Sequence, residues 1–226
     1  MLYPGPSAVK RRNRPATGIL PCMPALALSF TETLSGKPRV SYDEFLALTD
    51  SMHVEWVAGE VVPIMALGFP HNRAGRYGIQ LLGAFLGENP IGELFYEPMQ
   101  TRAAAHLPGR SPDIMVLLNE HADRLHLNYI EGPVDLAVEI ISPESGRIDR
   151  GEKFYEYEEG GVPEYWIIDP VRESAEFYQL DDRGVYRAVL ATDGVYRSRV
   201  LAGFWMRVEW LWQRPPLSLV LAEWAA

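Results

Sequence analysis

The stretch that decides the fold runs from Ser111 to Pro170. It reads SPDIMVLL (111–118), a linker, GPVDLAVEIIS (132–142), a polar turn, DRGEKFYEYEEGG (149–161) and VPEYWIIDP (162–170). Three of these segments are short and almost wholly apolar, which predicts strands of a sheet that is covered on both faces. The segment 149–161 is instead amphipathic at helical intervals and stops at two glycines, which predicts a helix.

Each of the first two strands carries a carboxylate, and the helix carries a lysine. Asp113 opens one strand, and Glu139 lies in the other on the same face as Asp135 and Ala137. Because an unpaired charge in a covered strand is costly, such an acid is usually paired or bound to a metal. Lys153 is one of only three lysines, against 18 arginines, and the only lysine after residue 37.

Two acids and a lysine at this spacing suggest metal-assisted hydrolysis of a phosphodiester. The carboxylates would hold a hard cation such as Mg²⁺, and the compact ammonium would neutralise developing negative charge. Ordinary structural roles fit the same spacing. Asp113 could cap a turn, Glu139 could pair with an arginine, and Lys153 could form surface pairs with Asp149 and Tyr157.

The segments before this stretch predict a helix, a hairpin and a longer helix. Ser41 and Glu44 form a Ser-x-x-Glu capping box that predicts a short helix to about Thr49. The run VEWVAGEVVP (54–63) predicts a hairpin that turns at Ala58-Gly59. Residues 71–89 have apolar side chains at helical intervals and predict an amphipathic helix.

The remaining segments predict strands and complete a mixed α/β (α+β) domain with one central sheet. ELFYEPMQT (93–101) predicts one strand before Asp113. After Pro170, SAEFYQL (174–180), GVYRAVL (184–190) and the aromatic run FWMRVEWLW (204–212) predict short strands joined by turns.

Composition predicts one folded domain with an N-terminal extension. Residues 1–36 are rich in Pro, Gly and Ser without periodicity, so we expect a disordered tail there and a single domain over 37–226. The single cysteine, Cys22, excludes an intrachain disulfide and a cysteine-based zinc site, and it fits a cytoplasmic location. No apolar run approaches the roughly 20 residues of a membrane span.

Charge limits how the chain could contact a polyanion. The net charge is −9, and residues 31–226 alone carry 17 basic and 30 acidic residues, a net of −13. Because phosphate attraction needs a positive surface, this balance argues against a nonspecific polyanion binder. Any contact with nucleic acid must therefore use a local basic patch.

Several of these segments resemble the PD-(D/E)XK nuclease superfamily and, more narrowly, the Uma-type family of restriction endonucleases. The resemblance spans about residues 40–215 and rests on VEWVAGEVV, His71, SPD, DLAVEIISP, D-x-x-x-K-x-x-x-Y at 149–157, and GVPEYWIIDP. It implies a restriction-endonuclease-like fold, in which a central mixed β-sheet is flanked by helices and carries extra β-hairpins. It also implies a metal-dependent endonuclease that cleaves DNA with Mg²⁺ or Mn²⁺.

The resemblance carries roles over to individual residues. Asp113 matches the first acid and Glu139 the second, and together with the Ile140 carbonyl they would hold the metal. The lysine usually found two residues after the second acid is absent, because Ile141 stands there. Lys153 matches a lysine that in this family lies on the following helix, and it would orient water or stabilise the transition state.

Further residues flank these elements. Glu60 matches an acid of the family's first hairpin and His71 a polar helix residue near the site, although a solvent-facing acid and a helix-start histidine explain both equally well. A local patch that contacts DNA could be formed by four arginines: Arg73, Arg76, Arg147 and Arg150. Cutting both strands is simplest with two sites, so we expect a homodimer.

Two other functions stay open at the level of sequence. One is a non-catalytic dimeric interaction module that keeps the nuclease fold and pairs through the aromatic run 204–212. The other is a hydrolase that uses Asp113 and Glu139 as acid and base, as glycosidases do across a sugar-sized cleft.

Overall fold

The computed structural model describes residues 39–48, 54–63, 68–142 and 145–226. The predicted N-terminal extension and its boundary lie outside these residues, so the domain division stays a prediction. In chain order the helices are α1 (Tyr42–Leu48), α2 (Phe69–Glu88), α3 (Gly146–Asp149), α4 (Glu152–Glu159), α5 (Trp210–Gln213) and α6 (Leu217–Trp224). None of the helices within the described ranges is long and apolar enough to cross a membrane.

Twelve strands accompany these helices in the described residues. In chain order they are β1 (Val54–Val57), β2 (Glu60–Pro63), β3 (Gly92–Tyr96), β4 (Gln100–Arg102), β5 (Ile114–Leu118), β6 (Tyr129–Glu131), β7 (Leu136–Ile140), β8 (Glu164–Asp169), β9 (Ser174–Leu180), β10 (Tyr186–Ala188), β11 (Val195–Arg197) and β12 (Trp205–Arg207).

Six of the strands form the central mixed sheet, in the order β10-β9-β8-β7-β5-β3. Neighbours are antiparallel except β7 and β8, which run parallel. Parallel neighbours need a crossover between them, and α3 and α4 lie in that connection. The mixed α/β class, the central sheet and the extra hairpins predicted from the sequence are confirmed.

Helix α2 covers one face of the sheet. Its buried residues Tyr77, Leu81 and Phe85 share a core with Val138 of β7. The helix lies close to the strands at Gly78, where an added Cβ would come within 2.7 Å of a side-chain carbon of Ile114. This close approach places the middle of α2 against the start of β5.

Helix α4 belongs to the core on the opposite face. Tyr157 packs there with Met115, Ala137 and Ile167, which come from three adjacent strands. Side chains alternate along β7, so Ala137 and Glu139 face this second core while Val138 faces α2. The expectation that these strands are covered on both faces is confirmed.

The predicted local signals before the sheet are also confirmed. The backbone N–H of Ser41 donates to Glu44 at 2.7 Å, and the N–H of Glu44 donates to the Ser41 hydroxyl at 3.2 Å, which closes the capping box. Strands β1 and β2 pair as a hairpin. Its turn residues Ala58 (φ +50°) and Gly59 (φ +92°) are left-handed, as a two-residue hairpin turn requires.

Two strand predictions need correction. The run 93–101 is not one strand but two, because β3 ends at Tyr96 and β4 pairs with β6 in a separate small sheet. The aromatic run 204–212 is a strand only at Trp205–Arg207 and then becomes helical. Phe204 and Trp210 are buried in the main core, so the aromatic pattern reflects packing against α2 rather than a longer strand.

Candidate active site

Asp113 and Glu139 lie side by side at one end of the sheet. Ile114 pairs with Val138 in antiparallel register. Asp113, one residue before β5, therefore lies opposite Glu139 of β7. The main-chain N–H of Ile140 donates to Oδ2 of Asp113 at 2.6 Å. The antiparallel register of two covered strands therefore brings the two predicted acids together and holds one of them against Ile140.

His71 approaches Asp113 from the first turn of α2. Its Nε2 lies 3.1 Å from Oδ1 of Asp113, so both oxygens of this carboxylate have a polar partner. The His71 side chain is buried, whereas 13% of the Asp113 side chain is exposed. The Nδ1 atom of His71 is buried and has no hydrogen-bond partner among the described residues.

Glu139 is held by two side chains of α4. The Lys153 ammonium donates to Oε2 and the Tyr157 hydroxyl to Oε1, each at 2.8 Å. Lys153 and Tyr157 are four residues apart and therefore lie on the same face of the helix. Lys153, predicted from its rarity and position, thus reaches the acid of β7 from the crossover.

A break between α3 and α4 shapes this contact. An added Cβ at Gly151 would lie 2.7 Å from the carbonyl oxygen of Arg147, so the bend needs glycine. Asp149 ends α3 just before the break, and its Oδ1 lies 3.2 Å from Nζ of Lys153. The Tyr165 hydroxyl, in β8, donates to the main-chain carbonyl of Asp149 at 3.0 Å and anchors the break to the sheet.

Glu55 of β1 is a further acid at the same place. Its Oε1 accepts the main-chain N–H of Ser111 and its Oε2 accepts Arg110, both at 3.1 Å. Oε1 also lies 3.9 Å from Nζ of Lys153. Arg110 turns its remaining donors towards Glu156 on α4 at 2.7 and 2.9 Å. The hairpin is thereby tied to both β5 and α4.

The cluster holds more negative than positive charge in a buried place. Three carboxylates, of Glu139, Asp149 and Glu55, lie within 3.9 Å of the Lys153 ammonium, and the charge of a fourth, Asp113, acts on Glu139. Burial raises the pKa of Glu139 well above its usual range, and the Asp149 and Asp113 charges raise it further against the opposing effect of Lys153. Burial alone would lower the pKa of Lys153, but the surrounding carboxylates outweigh it and raise that pKa. An excess of acids of this kind favours binding of protons or of a cation.

The donor set suits a hard cation in part. Among the described residues, no group of three or more His, Cys, Asp or Glu side chains is already arranged to hold a metal ion. Mg²⁺, however, is commonly held by one or two carboxylates with several retained waters. Asp113 and Glu139 supply that number, and both oxygens of Asp149 are buried without a hydrogen bond from any described residue. The residues fit such an ion provided that Glu139 is released from Lys153 or Tyr157.

The other predicted site residues lie apart from this cluster. Glu60 is exposed at the start of β2, and within the described ranges no contact joins it to the acids. Arg73, Arg76 and Arg147 are exposed. Arg150 is engaged, because its Nε lies 2.7 Å from Glu176. Of the two accessory residues, the structure brings His71 to the acids but not Glu60.

Sequence reasoning missed two members of the cluster and misjudged a third. Glu55 and Arg110 meet only because the hairpin docks beside the loop before β5, and no local pattern encodes that docking. Asp149 was expected, as an alternative, to form a surface pair with Lys153. The structure corrects this, because Asp149 is 1% exposed and Tyr157 is buried as well. Glu55 stands between the apolar residues Val54 and Trp56, which could have indicated its burial, whereas no apolar run flanks Asp149.

Comparison with known proteins is consistent with this geometry. A family model described as "Uma2: Putative restriction endonuclease" matches residues 42–209. A solved structure from Anabaena variabilis ATCC 29413, described as a putative nuclease of the family DUF820, shares the fold with a TM-score of 0.63 at 17% identity. The match covers 77% of the present chain and 98% of the Anabaena chain. No curated protein matches the chain.

Proposed function

The chain belongs to the Uma2 family of restriction endonucleases, and on that premise we propose that it is a metal-dependent endonuclease that hydrolyses DNA phosphodiester bonds. One observation carries the proposal. Asp113 and Glu139 lie at the same end of neighbouring strands, and Lys153 reaches Glu139 at 2.8 Å from the crossover helix. A structural ion pair would need one acid for one lysine, whereas this site has an excess of buried acids.

Asp113, Glu139 and the Ile140 carbonyl are the groups that would hold Mg²⁺ or Mn²⁺. When bound there, the cation would lower the pKa of a water molecule and bind a phosphate oxygen. Asp113 is kept in position by the Ile140 N–H and by His71, so its carboxylate is oriented before any ligand arrives. Glu60 remains a proposed outer residue that nothing in the described contacts supports.

Lys153 and His71 supply the polar groups around the reacting phosphate. The Lys153 ammonium is a compact charge, and the neighbouring carboxylates keep it protonated. It can orient the attacking water or neutralise the charge that develops on the phosphate. His71 contacts the Asp113 carboxylate, and its buried Nδ1, which has no hydrogen-bond partner among the described residues, could accept a hydrogen bond from a water molecule.

Arginines at the start of α2 are proposed to contact the DNA backbone. Arg73 and Arg76 are exposed on the same helix as His71, two and five residues further along. Arg214 extends this surface, because the Tyr77 hydroxyl donates to the next residue, Pro215, at 3.0 Å. Burial together with the charges of Arg73 and Arg76 lowers the pKa of Arg214, as expected for cations that crowd one another.

Arg147 and Arg150 would extend the contact on the side of the crossover. Arg147 is exposed, but Arg150 lies 2.7 Å from Glu176 and 3.9 Å from Asp169, so it would have to exchange these partners for phosphate. Arg147 is therefore the stronger of the two in this proposal. A homodimer would place two such sites on one duplex, one for each strand.

The two alternative functions gain little from the structure. The interaction module relied on the aromatic run 204–212, but Phe204 and Trp210 are core residues and cannot form a dimer surface. An acid–base hydrolase needs carboxylates on two walls of a cleft. Asp113 and Glu139 instead come from neighbouring strands of one sheet, and the strand register places them side by side rather than on two walls.

The test is cleavage of supercoiled plasmid DNA with Mg²⁺ or Mn²⁺. We expect nicking by the wild type and a loss of about a hundredfold or more for Asp113→Ala, since even outer partners of metal ligands cost 10–100-fold. Asp135→Asn is the control, because Asp135 is more deeply buried than Asp113 but binds His121 and the Leu118 N–H, away from the site. It should nick like the wild type.

Two results would count against the proposal in different ways. Equal nicking by the wild type and Asp113→Ala would mean that the nicking activity does not use this site. A wild type that neither nicks DNA nor binds Mg²⁺ in a calorimetric titration would favour the non-catalytic interaction module.

A further inference from the structure

Asp149 is a buried carboxylate without the hydrogen bonds that a buried carboxylate normally has. It is 1% exposed, and no described residue donates a hydrogen bond to either of its oxygens. The Lys153 ammonium lies 3.2 Å from Oδ1 but without the geometry of a hydrogen bond, because it is directed at Glu139. Leaving a buried charge unsatisfied is expensive, so this arrangement requires a reason.

Lys153 and the metal compete for the same acid under the proposed function. Both oxygens of Glu139 are occupied, one by Lys153 and one by Tyr157, each at 2.8 Å. A cation that binds Glu139 adds positive charge beside the ammonium, and the two repel each other at this distance. The ammonium must then find another carboxylate or remain buried without a partner.

Asp149 is the carboxylate that can receive it. The lysine is already within 3.2 Å, so a change of side-chain torsion is enough and no helix needs to move. Glu55, at 3.9 Å, is the other acid within reach, but its oxygens already accept the Ser111 N–H and Arg110. Among the described acids next to Lys153, Asp149 alone has no hydrogen bond to either oxygen, so both are available to the ammonium.

We infer that Asp149 is a positioning residue that takes over Lys153 when a divalent cation occupies Glu139. This inference rests on the proposed function, since it concerns the same site. Asp149 keeps the ammonium charged and close to the reacting phosphate in the loaded state. In the metal-free state the lysine instead neutralises Glu139, so the acids are compensated in both states.

The scarcity of lysine provides a direct readout. Protein labelled with ¹³C at lysine Cε should give three lysine signals by NMR, and the Lys153 signal is identified by its loss in Lys153→Arg. Without DNA, saturating Mg²⁺ should shift this signal in the wild type. Glu139→Gln without metal should already show the shifted position, because its lysine has only Asp149 to pair with strongly.

Asp149→Asn tests the acceptor itself. The Lys153 signal should fail to reach the shifted position with Mg²⁺, and calorimetry should give an affinity for Mg²⁺ at least about tenfold weaker than in the wild type. Glu156→Gln is the control for loss of one negative charge, because Glu156 pairs with Arg110 and not with Lys153. It should keep both the shift and most of the affinity.

The outcomes separate this inference from the proposed function. If Mg²⁺ binds the wild type but the Lys153 signal stays at its metal-free position, Lys153 does not change its partner from Glu139 to Asp149, and this inference is wrong. The proposed metal site would still stand. The same conclusion follows if Asp149→Asn reaches the wild-type shifted position with unchanged affinity. If Mg²⁺ does not bind the wild type at all, both the exchange and the metal-dependent mechanism are overturned.

Discussion

Two buried glutamates on neighbouring strands are stabilised in opposite ways. Glu164 opens β8, is 0% exposed and accepts five hydrogen bonds, all from neutral groups. The donors are the Trp166 indole, the Tyr196 and Ser198 hydroxyls, and the main-chain N–H groups of Arg199 and Val200. Glu139, on β7, accepts two hydrogen bonds and has three other carboxylates close by.

The difference separates an acid with a structural role from the acid that we propose takes part in the chemistry. The donors around Glu164 belong largely to the segment 196–200, so this carboxylate fastens that segment to the sheet and leaves little room for a ligand. The charge of Glu139 is compensated by one long side chain that can leave. A buried carboxylate is thus a sign of function when its partner is a movable cation within an excess of acids, and a sign of structure when neutral donors surround it.

The largest expected effect is that of Lys153→Met, which removes the only ammonium from the acid cluster. Breaking a buried ion pair by deleting one partner costs about 3–5 kcal/mol, and we expect a loss in the free energy of unfolding of that size. Urea denaturation measures it. Mg²⁺ should restore part of the loss, because a bound cation replaces the missing charge. A variant as stable as the wild type would show that the acids are not in excess.

Next in size is Glu164→Gln, compared with Glu139→Gln. The amide group of the new glutamine would turn a donor towards groups that already donate, so we expect Glu164→Gln to lose about 3 kcal/mol of unfolding free energy. Glu139→Gln should lose about 1 kcal/mol or less of unfolding free energy. Lys153 can still pair with Asp149, and the substitution removes one of the mutually repelling carboxylates. Chemical denaturation of both variants in the absence of metal checks the order, and the reverse order would contradict the comparison.

The smallest effect is expected from two matched hydroxyl deletions. Tyr157→Phe removes a 2.8 Å donor from Glu139, and Tyr196→Phe removes a 2.8 Å donor from Glu164. Each should cost about 1 kcal/mol in metal-free protein. Saturating Mg²⁺ should reduce the loss for Tyr157→Phe, because the ion then partners Glu139, and leave that for Tyr196→Phe unchanged. Thermal unfolding with and without Mg²⁺ distinguishes the two, and equal responses would remove the distinction between the acids.

The elements that the sequence predicted are those in which periodicity and burial agree. The covered strands around Ile114, Val138 and Ile167 and the amphipathic helix α2 follow from hydrophobic pattern alone. Asp113 and Glu139 stood out because acids interrupt apolar strands, and the structure brings both together with Lys153. Their catalytic roles stay predictions, since side-chain convergence does not test chemistry.

The parts that the sequence did not predict depend on tertiary docking. Glu55 joins the cluster only because the hairpin lies against Arg110 and Ser111, which are more than fifty residues away in sequence. The burial of Asp149 depends on the bend at Gly151, which a helical pattern does not reveal. The aromatic run 204–212 has strand-like composition, but its last three residues, 210–212, are helical and pack with α2 in the main core.

The parallel pairing of β7 with β8 has a consequence for how the molecule folds. Parallel neighbours cannot close through a short turn, and long-range pairing of this kind forms slowly. The connection that must be in place first is the segment that carries Asp149 and Lys153. The chain therefore cannot complete its sheet without delivering the ammonium to Glu139. We therefore expect completion of the central sheet and pairing of Glu139 with Lys153 to occur in one kinetic step, so that folding intermediates do not expose this acid without its partner.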